Sequence, residues 1–135
     1  MAHGPMPRVG IDLVRVSRIA ESLAKFGDRF LRRIFTETEI AYALEAPERS
    51  AERLAARFAA KEAAIKALRL ADAGVTLRDV EIRRTQTGEC EVVLHGRARA
   101  LAERAQTGPI ALSLSHEGDY ATAVVVTSQP QLHEP

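Results

Sequence analysis

The chain has 135 residues, 46% hydrophobic but only 4% aromatic, and its 19 basic and 18 acidic side chains leave a formal net charge of +1. That length predicts one domain burying somewhat under about 70% of its unfolded surface, while the near-zero charge and scarce aromatics exclude the basic field and stacking platforms of a nucleic-acid binder. The single cysteine, Cys90, rules out an intrachain disulfide framework, and no apolar run reaches the about 18 residues of a membrane span, so a cytoplasmic protein with neither nucleic acid nor membrane as partner is expected.

Residues 1–6 read as an appended leader ending at a second Met and 128–135 as a frayed tail, leaving 7–127 as a single folded domain. The first predicted element is a strand over residues 9–14, Val9-Gly10-Ile11-Asp12-Leu13-Val14. Its lone carboxylate must be paired, hydrogen-bonded or metal-bound to offset desolvation, and Gly10 lets another backbone or a ligand come close. Ser17 is a candidate N-cap for an amphipathic helix to about residue 25, closed by Gly27. Thr36 and Glu39 have capping-box spacing and open a short helix that Pro47 stops.

Ser50 can cap a long helix over residues 51–70, in which charges sit among apolar residues: Arg57-Phe58-Ala59-Ala60-Lys61-Glu62-Ala63-Ala64-Ile65-Lys66-Ala67. At about 100° per residue, Leu54, Phe58, Ile65 and Leu68 form a narrow stripe that contains Lys61, is bordered by Glu62, and has Lys66 one turn beyond Glu62. Two readings stand. Either the charges serve an ionic ligand or a metal, or Lys61 snorkels to water and Glu62 with Lys66 is an ordinary i,i+4 pair.

Beyond Gly74 the period changes. Residues 80–83 and 91–94 predict a hairpin, Gly96 opens a helix to about residue 105, and strands over 110–116 and 120–127 are joined by Glu117-Gly118-Asp119. Alternation in Ile110-Ala111-Leu112-Ser113-Leu114-Ser115-His116 puts Ser113 and Ser115 opposite the apolar face, with an imidazole at the strand end. The predicted architecture is α+β, an antiparallel sheet packed against the long helix with strands from both chain ends brought together. His3, His95 and His133 are assigned solvent-facing roles, and Cys90 that of a small buried or edge residue.

Gly10-Ile11-Asp12 with Arg18, then Arg57 to Ala63 with Lys66, then Ser113-Leu114-Ser115-His116, together resemble the three signature blocks of holo-[acyl-carrier-protein] synthases, the small trimeric 4'-phosphopantetheinyl transferases, over roughly residues 8–126. The resemblance implies that family's fold. It also implies transfer of 4'-phosphopantetheine from coenzyme A to a serine of an apo acyl carrier protein, with release of adenosine 3',5'-bisphosphate. Asp12 and Glu62 would bind Mg2+, which suits two carboxylates completed by substrate phosphate and water. They would be catalytic together with Lys66, while Arg57, Lys61, Lys66, Ser113, Ser115 and His116 would contact the coenzyme. Arg18 would dock the acidic carrier, with Arg29, Arg32 and Arg33 extending the patch, and a homotrimer would place sites between protomers. Cys90 stands where this resemblance leads one to expect proline. Two rivals are a non-catalytic coenzyme A or nucleotide-binding module, in which Asp12 and Glu62 form structural ion pairs with Lys61 or Lys66, and a phosphatase acting on coenzyme A derivatives.

Overall fold

Strand β1 (Pro5–Arg15) carries the Asp12 segment and passes without a loop into helix α1 (Val16–Phe26). Gly27, at φ +54°, ends α1 and starts helix α2 (Asp28–Ile34). Helix α3 (Glu37–Leu44) and one 3-10 turn (Pro47–Arg49) lead into the long helix α4 (Ser50–Leu68). Strands β2 (Val80–Arg84) and β3 (Cys90–Leu94), helix α5 (Gly96–Arg104), and strands β4 (Ala111–Glu117) and β5 (Tyr120–Pro130) complete the chain. The structure, a computed structural model, describes residues 4–130.

The first and last strands, β1 and β5, meet in one antiparallel sheet of order β1-β5-β4, while β2 and β3 form a separate hairpin. Pairing of β1 with β5 extends from Arg15 opposite Tyr120 to Pro5 opposite Pro130, so the ladder carries the folded unit beyond the expected limits of 7 and 127 at both ends. Residues 1–3 and 131–135, including His3 and His133, lie outside the described residues.

The capping box forms as its spacing predicts: the Glu39 amide donates to Thr36 Oγ1 at 3.3 Å, and the Thr36 amide donates to Glu39 Oε1 at 2.8 Å. Ser17 does not cap α1, nor does Ser50 stand outside α4; Ser50 is its first residue, and its hydroxyl turns back to the Pro47 carbonyl at 3.0 Å.

Helix α4 is buried on most of its circumference rather than along a narrow stripe. Its alanines supply the difference: Ala55, Ala59, Ala60, Ala63, Ala64 and Ala67 are each at most 1% exposed. Methyl-sized side chains let the sheet face of Gly10, Ala121, Ala123 and Val125 approach the helix closely, and dense packing there compensates for the scarcity of aromatics.

Candidate active site

The site begins with a steric fact about Gly10. A Cβ built there would overlap the Ala63 carbonyl oxygen and lie 2.8 Å from the Ala67 amide nitrogen. Only glycine lets β1 touch the α4 backbone. Two residues along, on the same sheet face, Asp12 is thereby brought beside the helix at Glu62 and Lys66. Lys66 Nζ donates to the Ile11 carbonyl at 2.9 Å and stands 3.3 Å from Asp12 Oδ1. Partial burial, then the negative charge of Asp12, hold the Glu62 carboxyl above the usual carboxylate range; Lys66 opposes them without cancelling them.

Lys61, the neighbour of Glu62, is elsewhere, and its expected role as a coenzyme contact is corrected. Its side chain is wholly buried, with Nζ 2.8 Å from Glu39 Oε1 and donating to the carbonyls of Val80 at 2.8 Å and Leu77 at 2.9 Å. Nor does it snorkel. All three ammonium protons have acceptors inside the protein, and the ion lies 5.6 Å from the centre of the Phe35 ring. Burial pulls its pKa down while Glu39 pulls it back up. About 100° of helical rotation separates the two neighbours: Lys61 ties α4 to α3 and the β2 hairpin, and Glu62 faces β1.

Arg57 is also buried, and its guanidinium stacks 4.2 Å from the Tyr42 ring centre and donates to Cys90 Sγ at 3.6 Å. It lies in a groove of about 410 Å³ whose wall includes Tyr42, Arg83 and Arg84. Arg53 and Arg84 approach the same ring, at 4.1 and 5.5 Å, so three guanidiniums gather on one aromatic. Cys90 itself is half-buried.

Residues opposite one another in the ladder separate the remaining block. Leu114 and Asp12 both oppose Ala123, on the face toward α4, whereas Ser113 lines up with Val124 and Ile11, and Ser115 with Thr122 and Leu13, on the outer face. Within one chain Ser113 and Ser115 therefore do not join Asp12 and Glu62. His116 shares the inner face but is placed near the start of α4, where its Nε2 is 3.7 Å from Glu52 Oε1. Ten residues of helix, about 15 Å, separate Glu52 from Glu62.

Arg18 is exposed on the first turn of α1, and Arg29 and Arg33 line an apolar groove of about 700 Å³ with Phe26 and Phe30. Arg32 is set apart from them by its contacts with Asp28 at 2.8 Å and Glu37 at 3.6 Å.

Three features escaped the sequence reading. Glu39 is both a cap and a core anion, accepting from the Ile82 amide at 2.8 Å as well as pairing with Lys61. Glu81, nearly buried, is 2.7 Å from His95 Nε2 and 3.0 Å from Arg83, so His95 has a partner where a free solvent-facing role was expected. Burial would raise the Glu81 pKa, but His95 and Arg83 together bring it below its ordinary value. Asp119 is the third, bonded to Ser17 from 102 positions away. Only the capping box hinted at any of these.

A strand glycine against an alanine-rich helix, with two carboxylates and a lysine at the seam, defines an α+β protein whose site is suited to phosphate chemistry. Residues 8–125 match the family model of the 4'-phosphopantetheinyl transferase superfamily, and the chain belongs to that family. It is 47% identical over 118 residues to a holo-[acyl-carrier-protein] synthase of Koribacter versatilis, covering 87% of this chain and 94% of that protein. It is 46% identical over 121 residues to the synthase of Moorella thermoacetica, covering 90% and 93%. Among solved structures, the ACPS-CoA complex of Chronobacterium ammoniagenes superposes with a TM-score of 0.81 at 33% identity, covering 93% of this chain and 99% of that one. The resemblance carried by the three sequence blocks is borne out.

Proposed function

We propose that this protein transfers 4'-phosphopantetheine from coenzyme A to a serine hydroxyl of an apo acyl carrier protein. The serine oxygen forms a bond to the β-phosphorus of the coenzyme, the bond from that phosphorus to the bridging oxygen breaks, and adenosine 3',5'-bisphosphate leaves with the electron pair. The observation that carries this reading is the seam at Gly10, where Asp12, Glu62 and Lys66 converge in a chain whose relatives are named for this reaction.

The oxygen-only donor set fits Mg2+. Two carboxylates beside one ammonium leave negative charge uncompensated, and among the described residues no cluster of three or more His, Cys, Asp or Glu side chains offers a full protein cage. Asp12 and Glu62 would hold the ion, which would supply charge neutralisation at the diphosphate. Lys66 orients the same phosphates, and the carboxylates are the nearby acceptors for the proton the serine must lose. Arg57 with its groove of arginines suits the phosphorylated nucleotide end.

Arg18, Arg29 and Arg33 with the Phe26 groove form the docking face for an acidic carrier helix; Arg32 contributes less because Asp28 and Glu37 engage it. Val9, Ile11 and Leu13 are 64%, 58% and 63% exposed on the outer sheet face, an apolar surface that three copies would bury. That packing would bring Ser113 and Ser115 of one copy to a cleft shared with another. The free thiol of Cys90 accords with a reducing cytoplasm.

The test is mass spectrometry of an apo carrier protein incubated with enzyme, coenzyme A and Mg2+. The carrier should gain one phosphopantetheine group, and the gain should vanish on chelation or in Asp12→Ala and Glu62→Ala. A carrier of unchanged mass despite tight coenzyme binding would make the protein a binding module, and coenzyme breakdown without carrier would make it a phosphatase.

A further inference from the structure

We infer that Asp119 is a positioning residue for carrier-protein docking: it caps helix α1 from the β4–β5 turn and so fixes the turn that bears Arg18. This rests on the reading of Arg18 as a docking residue. Helix α1 follows β1 directly, its N-cap Arg15 gives no side-chain bond, and only Ile19 of its 11 residues is buried. A helix so lightly packed needs its first amides satisfied from elsewhere. Asp119 does this. Its carbonyl accepts from the Val16 amide at 2.7 Å, Oδ1 from the Ser17 amide at 2.9 Å, and Oδ2 from the Ser17 hydroxyl at 2.5 Å.

The clasp is continuous with the sheet. Arg15 opposes Tyr120 in the ladder and its guanidinium lies 5.9 Å from the Tyr120 ring centre, while Gly118, at φ +56°, turns the chain just before Asp119. The carboxylate also sits at the positive end of α1, where a negative charge is favoured. Arg18 follows Ser17 immediately. Its placement relative to the Asp12 strand therefore depends on a contact made by neither substrate.

The experiment is steady-state kinetics on the full-length protein with coenzyme A and apo carrier protein varied separately. Asp119→Ala should raise KM for the carrier about three- to tenfold, the size of a lost N-cap, with kcat and KM for coenzyme A unchanged. Asp119→Asn, which keeps an acceptor for the Ser17 amide, should restore most of the loss. Arg18→Glu should lose part of its own effect when combined with Asp119→Ala, because both act through the same turn. If Asp119→Ala has wild-type carrier KM while Arg18→Glu raises it, positioning by Asp119 is refuted and docking at Arg18 stands. If Arg18→Glu is itself without effect, the docking reading falls and this inference with it. Equal losses in both KM values and kcat would show a general structural role and also overturn it.

Discussion

Gly10 rests against the Ala63 carbonyl with no room for a methyl group between them. Gly10→Ala must push β1 off α4, and because the obstacle is backbone it cannot rotate aside. The expected cost is about 1–3 kcal/mol or more in stability. Transfer activity should fall further than stability explains, since the displaced strand carries Asp12 away from Glu62. Chemical denaturation and carrier-modification rates at a temperature where the variant remains folded will check both.

Lys61 and Glu39 form a buried ion pair, and breaking such a pair by removing one partner is costly. Lys61→Met should destabilise the protein by about 3–5 kcal/mol by urea unfolding, leaving the buried Glu39 carboxylate with the Thr36 and Ile82 amides but without its counter-charge. Whatever variant remains folded should bind coenzyme A nearly as the parent does, because Lys61 Nζ is spent on Glu39, Leu77 and Val80. A large coenzyme-specific loss in calorimetry would restore the lysine to the site.

Glu62 should oppose apo stability at neutral pH. A carboxyl whose pKa is raised in the folded state favours folding while protonated, and that contribution disappears as pH climbs from the ordinary carboxylate range through the raised value. In the presence of chelator, Glu62→Gln should melt at or above the temperature of the parent at pH 7, yet be inactive when Mg2+ is restored. For the parent, Mg2+ affinity should increase as pH rises through the same window, since the ion needs the deprotonated side chain. A lower melting point for Glu62→Gln in chelator would contradict the uncompensated charge.

Arg18→Glu should raise KM for carrier protein with little change in KM for coenzyme A, and Arg29→Glu should act in the same direction. Arg32→Glu should do less, since its guanidinium already faces Asp28 and Glu37. Raised salt should weaken carrier binding by the parent and matter less in the variants.

Ile11→Asp would place a charge at the centre of the exposed apolar sheet face. Light scattering should show a smaller particle than the parent, with activity falling as the shared clefts separate. A fully active monomer would mean that one chain suffices.

Several features were legible in the sequence because their causes are local. The capping box at Thr36 and Glu39 spans four residues, and the hairpin of residues 80–94 has its turn between two alternating runs. The placement of Ser113 and Ser115 opposite the apolar face also followed from period two. Helix α2 was not legible: at seven residues, directly after Gly27, it offers little periodicity, and only Asp28 with Arg32 four positions later marks it. Ser17 resembled a cap because serine before an amphipathic run usually is one. The acceptor instead comes from Asp119, a partner no local pattern can announce.

The order of residues alone makes plain that charges interrupt an apolar strand and an apolar helix, and that such charges require partners. It could not determine which partner each one meets, because neighbouring residues on a helix point about 100° apart and so enter different environments. Tertiary packing sent Lys61 into the core against Glu39 and turned Glu62 toward Asp12, so that one charge is satisfied within the protein and the other remains available for chemistry.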